Sequence, residues 1–299
     1  MGMIKSTFLL RNIMKHLHLL TLIGSLLFLQ ACASAHPHDL REEVAQRISM
    51  PTFMMKKDIQ TDQFNIRAYE KIHEDGAPIY VYIEGDGLAW LGGNRPSNDP
   101  TPTQPTSLQL ASKDDHTNVV YLARPCQYNN DTQICKTGNK YWTNGRYAPE
   151  VLKAMDQALN DVKSRYNAPS FHLVGYSGGG GIAALLAGTR DDIASLRTVA
   201  GNLDHVAFTN IHNVSPMDES LNPINYGDKL RNVPQIHFIG GQDTIVPAGI
   251  YHSYLNAIGN SPCIHSELVI DATHEDGWVN QWKDLLNKDV SCTAAQNPQ

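Results

Sequence analysis

Short β-branched and aromatic runs, separated by stretches of helical spacing, constrain this chain more than any other feature. Ile79–Ile83, Val119–Ala123, Phe171–Val174, Leu196–Ala200, Gln235–Ile239 and Glu267–Ile270 are short and mostly apolar, as strands buried on both faces are. Between them, Val151, Leu152, Met155, Leu159 and Val162 recur at helical spacing within Pro149–Tyr166. Further helices are expected over Gly178–Ala187, Ala248–Ala257 and Asp276–Leu286, with Asp276 capping the last. Asp62–Tyr69 alternates polar and apolar residues like a half-exposed strand. Asn98–Pro105 carries too much proline for a regular element. Buried strands alternating with helices predict an α/β fold, a mostly parallel sheet covered by helices on both faces. On such sheets function gathers at the carboxyl ends of the strands.

Three of those ends carry chemistry. Gly175-Tyr176-Ser177-Gly178-Gly179 follows an apolar strand and opens a small-residue helix. This is the G-x-S-x-G pattern in its strand–turn–helix setting, where a strained turn exposes a serine beside a helix start. The bland reading is a glycine-rich turn that only packs helix on strand. No lysine follows the glycines, so a Walker-type phosphate loop fails. A serine nucleophile needs a base, and the base needs an orienting acid. Asp243 and His274 both follow strand runs, in the expected chain order. The chief rivals are Asp204 and His205, but sequence neighbours seldom face each other. One oxyanion donor should be the Gly178 N–H. The second should come from Glu84-Gly85-Asp86-Gly87, with the Asp86 N–H expected and the Gly87 N–H as alternative. Glu84 and Asp86 as metal ligands make a weak reading, because no histidine cluster adjoins them.

Ser177, Asp243, His274 and the Glu84–Gly87 turn resemble those of the α/β-hydrolase fold, over roughly Asp62 to Leu286. More narrowly the chain resembles a group of exported bacterial α/β hydrolases. The shared stretches are Ile83–Gly87, Asp99–Pro102, Arg124–Tyr128, Gly175–Gly180, Ala200–Asp204 and His274–Trp278. That resemblance implies a serine hydrolase acting on esters or similar acyl compounds through an acyl-enzyme. One departure is Glu84, where commoner relatives have histidine before glycine. The rival class is a non-catalytic envelope lipoprotein that binds with the same fold; a peptidase or thioesterase would use the same triad. No metal and no cofactor is expected. Trp90 could wall the substrate pocket, and the irregular stretch at about 204–230 could form a small cap, favouring short or medium acyl groups.

The amino-terminal segment reads as an address. Lys5, Arg11 and Lys15 precede the apolar run Leu17–Leu29, in the charge order of a secretory signal. The run is short for a transmembrane helix, which needs about 20 apolar residues. It ends in Leu29-Gln30-Ala31-Cys32, which resembles a bacterial lipobox and implies a lipidated Cys32; plain cleavage near Ala31–Ala35 is the alternative. Residues 1–31 are therefore read as a lipoprotein signal peptide, 32–50 as a tether and 51–299 as one domain. The partners expected are a small acyl substrate and, through the acyl anchor, a lipid membrane; Ala33 resembles an outer-membrane sorting signal. Met1–Ser6 also fits a myristoylation pattern, a coincidence beside a secretory signal, and Met14 is an equally good start. His36-Pro37-His38 is too small a set for a metal. Beyond Cys32 the cysteines are Cys126, Cys135, Cys263 and Cys292, which allow three pairings. Proximity along the chain and an exported context favour Cys126–Cys135 and Cys263–Cys292. With 30 acidic against 24 basic residues and no basic cluster, nucleic acid is excluded as a partner.

Overall fold

A computed structural model describes residues 37–92, 95–129 and 132–292. The chain divides into two compact units, Met1–Leu40 and Arg41–Gln299. The predicted signal peptide and Cys32 lie outside the described residues.

The second unit is built on an eight-stranded sheet in the order β1-β2-β4-β3-β5-β6-β7-β8. The strands are β1 (Met55–Gln60), β2 (Asn65–Ile72), β3 (Ile79–Ile83), β4 (Asn118–Leu122), β5 (Phe171–Tyr176), β6 (Ile193–Val199), β7 (Gln235–Gly240) and β8 (Ile264–Val269). β2 is antiparallel to both neighbours, and every other pairing is parallel. Mostly parallel strands require helices on both faces, and the side chains divide accordingly. Val81, Ile83, Val120 and Leu122 enter one core with Val151, Met155, Leu159, Ile182 and Leu186. Their alternate neighbours Tyr82, Val119 and Tyr121 enter the other with Leu108, Trp278 and Trp282. This is the period of two that a strand imposes.

The main helices are α1 (Pro37–Ser49), α2 (Thr106–Ser112), α3 (Pro149–Tyr166), α4 (Gly178–Thr189), α5 (His205–His212), α6 (Ala248–Ile258) and α7 (Trp282–Leu286). α3 spans the residues expected of it, with its apolar stripe buried. Three elements differ from expectation. Residues 37–49 are helix rather than tether: Ala45 is buried in the second core, and Arg41 Nη1 donates to the carbonyls of Asp99 and Thr101. β1 is an edge strand with only Ile59 buried, so it leaves no periodic signal. The last helix begins at Trp282 and not at Asp276, because Gly277 at φ 95° cannot sit in a right-handed helix. Asp276 instead closes a turn with Thr273.

Both expected disulfides are formed, Cys126–Cys135 and Cys263–Cys292. The first closes a nine-residue separation, worth about 2–3 kcal/mol on the chain-entropy account. The chain leaves β3 for β4 on one side and returns to β5 on the other. The crevice between the carboxyl ends of β3 and β5 is thus the switch point where such sheets bind ligands.

Candidate active site

β5 ends at Tyr176, and Ser177 makes the turn into α4 at φ 53°, ψ −121°. A non-glycine residue at positive φ is strained, and the fold holds it there from both sides. Ser177 N–H donates to Val199 O, while Ser177 O accepts from the N–H groups of Gly180 and Asn202. The neighbouring glycines are required by contact: a Cβ on Gly179 would overlap the carbonyl oxygens of Ile83 and Glu84, and one on Gly180 would lie 2.8 Å from Gly201 Cα.

Ser177 Oγ lies 2.9 Å from His274 Nε2, and His274 Nδ1 lies 2.9 Å from Asp243 Oδ2. The three come from the loops after β5, β7 and β8, and the order along the chain is the expected one. Asp243 is fixed by its other oxygen, since Oδ1 accepts from the N–H groups of Ile245 and Val246 at 2.8 Å. His274 is fixed by its backbone: its carbonyl accepts from Tyr176 Oη at 2.9 Å and Trp278 Nε1 at 3.0 Å. Tyr176 and Trp278 were visible within the quoted motifs, but no local pattern announces that they grip the histidine.

The rivals serve elsewhere. Asp204 caps α5, its Oδ1 accepting from Val206 N–H and Ala207 N–H, and also takes bonds from Asn222 and Ser253. His205 Nε2 meets the Ser220 carbonyl, not Ser177. Trp90 forms an isolated antiparallel bridge with Pro96 and is 39% exposed. No hydrogen bond or ring contact joins it to the Ser177–His274–Asp243 set among the described residues. The 204–230 stretch contains α5 and two single turns, Pro223–Tyr226 and Gly227–Leu230.

The turn after β3 is braced from several directions. The Asp86 carboxylate takes Arg124 Nη1 at 2.9 Å on one oxygen and Arg146 Nη1 on the other. Burial pushes this carboxyl up, but the Arg146 and Arg124 guanidiniums more than reverse that and hold it below the ordinary carboxylate range. Arg124 Nη2 also donates to the Arg146 carbonyl. The Asp86 carboxylate lies against Gly178, where a Cβ would displace it. Gly87 adopts φ 64°, and a Cβ there would overlap Pro100 O and lie 2.7 Å from Gln127 Nε2. Among the described residues, the N–H groups of Asp86, Gly87 and Gly178 have no hydrogen-bond partner.

Glu84 turns away from Asp86, so the two carboxylates do not converge on a common point. Its Oε1 accepts from Gly85 N–H at 2.9 Å and Ser107 N–H at 3.3 Å, tying the turn to the start of α2. Burial pushes its pKa up to about 7, against the pull of those N–H groups. An acid with a raised folded-state pKa stabilises fully below its unfolded value, here 4.5, and that contribution is lost as pH rises through about 7. Wild type should therefore lose up to about 3 kcal/mol relative to Glu84→Gln between pH 4.5 and 8. Urea unfolding of both proteins across that range checks this; parallel pH profiles would contradict it.

Residues 91–266, more than half of the chain, match the family described as serine hydrolase (FSH1). The matched span holds Ser177 and Asp243 but stops before His274, and it begins after the Glu84–Gly87 turn. No curated protein matches the sequence. Similar solved structures include the Pyrococcus furiosus esterase Pf2001, 15% identical with a TM-score of 0.53 over 75% of this chain and 86% of that one. Est1E from Butyrivibrio proteoclasticus is 14% identical with a TM-score of 0.53 over 77% and 95%. An acylaminoacyl peptidase from Pyrococcus horikoshii is 10% identical with a TM-score of 0.55 over 82% of this chain and 42% of its own. Likeness at these identities establishes the fold, the α/β-hydrolase fold.

Proposed function

We propose, for a chain that belongs to the FSH1 serine hydrolase family, that it cleaves carboxylic esters or related acyl compounds through an acyl-enzyme on Ser177. The observation that carries this reading is the unbroken relay from Ser177 Oγ through His274 to Asp243, next to N–H donors that have no partner among the described residues. In the first half-reaction Ser177 Oγ attacks the acyl carbon and His274 Nε2 takes its proton. Asp243 holds the Nδ1–H tautomer and supports the imidazolium. The tetrahedral oxyanion is bound by the N–H groups of Gly178 and Asp86. His274 returns the proton to the leaving group, and water then repeats the sequence on the acyl-enzyme. That the similar Pyrococcus furiosus protein Pf2001 is an esterase supports the ester as the bond cleaved.

A fluorophosphonate probe tests the reading directly. Wild type should be labelled at Ser177 and Ser177→Ala should not. Wild type that resists labelling and turns over none of an ester, thioester and peptide panel would sink the proposal.

The proposal extends to location. Cys32, in its lipobox-like setting, is lipidated in a bacterial envelope and anchors the enzyme at the outer membrane. Two disulfides support an oxidising compartment. Cys32→Ser should move the protein from the membrane fraction to the soluble fraction; unchanged membrane fractionation would contradict lipidation.

A further inference from the structure

The loop Arg124–Tyr128 holds a glutamine that is 1% exposed and, among the described residues, makes no hydrogen bond to the Ser177–His274–Asp243 set. Both ends of its amide are used. Gln127 Oε1 accepts from Arg124 N–H at 2.9 Å, which leaves Nε2 to donate to the Gly85 carbonyl, also at 2.9 Å. Gln127 N–H in turn donates to Arg124 O. Its neighbours Cys126 and Tyr128 both have positive φ, and the Cys126–Cys135 disulfide closes the loop behind them. The amide is held in place by the fold.

The partner it holds matters for chemistry. No cis peptide bond occurs among the described residues, and across a trans peptide the C=O and N–H point in opposite directions. Fixing Gly85 C=O toward Gln127 therefore fixes Asp86 N–H toward the opposite side. Gly85 packs on the side chain and carbonyl of Tyr176, before the nucleophile, while Asp86 lies against Gly178, after it. The Gly85–Asp86 peptide thus spans the turn that carries Ser177. Gly85, whose ψ such a rotation changes, has no Cβ and so adds little intrinsic barrier on its side of this peptide. A flip would present a carbonyl oxygen where the developing oxyanion needs a donor, replacing attraction with repulsion.

We infer that Gln127 is a positioning residue for the hydrolysis: its amide locks the Gly85–Asp86 peptide so that Asp86 N–H faces the oxyanion. This inference rests on the serine-hydrolase reading above. It assigns to the Arg124–Tyr128 loop a part in the reaction although the loop contributes no reacting group.

The test compares wild type with Gln127→Met, which matches the length without a donor, and Gln127→Glu. The second keeps the acceptor for Arg124 N–H and, once ionised, removes the donor to Gly85. With p-nitrophenyl acetate at pH 8, kcat should fall about 10–100-fold in both while KM stays within about threefold. Inhibition by an aryl boronic acid, whose tetrahedral adduct fills the oxyanion site, should weaken in proportion to the loss in kcat/KM. Fluorophosphonate should still label Ser177 in both, more slowly. A variant that folds, by its thermal melt, and keeps kcat and boronate affinity within about twofold of wild type overturns the inference. Should Gln127→Met fail to fold, Gln127→Glu alone decides it by the same readings. Wild type without labelling or turnover would instead defeat the underlying serine-hydrolase reading.

Discussion

Replacing Ser177 with alanine should lower kcat for an activated ester by about 10⁴–10⁶-fold, and adding His274→Ala should cost almost nothing more. The geometry dictates this non-additivity. His274 Nε2 has one function in the relay, to exchange a proton with Ser177 Oγ 2.9 Å away, so without the hydroxyl the imidazole has nothing to activate. His274→Ala alone should be as damaging as the serine change. Asp243→Asn should cost somewhat less, because the Tyr176 and Trp278 bonds to the His274 carbonyl keep the residue seated. Residual activity should remain above the uncatalysed rate, since unpartnered N–H groups do not depend on the relay. Steady-state kinetics of the three single variants and the Ser177→Ala/His274→Ala double variant check this. Losses that multiply would contradict a single proton relay.

The second large effect concerns stability. Arg124→Met should destabilise the protein by about 3 kcal/mol, in the range for breaking one partner of a buried ion pair. Arg124 is almost fully buried and contacts both the Asp86 carboxylate and the Arg146 carbonyl. Its removal leaves a largely buried carboxylate that, among the described residues, is paired with Arg146 alone. For a chain of this size the midpoint of thermal unfolding should drop by roughly 6–12 °C. The loss should shrink in the double variant with Asp86→Asn, which removes the stranded charge, and calorimetry of the cycle measures that coupling. Full additivity of the two changes would show that the ion pair is not what holds the turn.

How much of this was legible in the sequence depends on how local each signal is. The β3–β7 core strands and α3 announce themselves because burial on one or both faces imposes a period within a few residues. Ser177, Asp243 and His274 could be found because each follows such a strand, and strand ends are where side chains of distant segments meet. Gln127 and Arg124 could not be given roles, since their partners Gly85 and Asp86 lie 42 and 38 residues away and no spacing rule links them. The Arg124–Tyr128 motif was visible, but its function as a brace was not. Helix α1 was hidden for a different reason: Ser34–Ala45 is polar in composition, and the contacts that seat it, Ala45 in the second core and Arg41 on the carbonyls of Asp99 and Thr101, reach far along the chain. β1 was hidden because a single buried residue, Ile59, makes no pattern.

The run Gly178-Gly179-Gly180-Gly181 that opens α4 has a consequence for how the molecule acquires activity. Each glycine disfavours helix by about 1 kcal/mol relative to alanine, so this turn cannot nucleate on its own. It depends on tertiary contacts, with Gly179 packed against the end of β3 and Gly180 against Gly201 in the loop after β6. Helices such as α3, with ordinary side chains and an apolar stripe, carry no such handicap. Sheet and helix elsewhere in the chain do not by themselves set Ser177 in its working conformation. Reactivity at Ser177 is a stricter report of completed folding than circular dichroism, and it can serve as the end-point when refolding of this protein is followed.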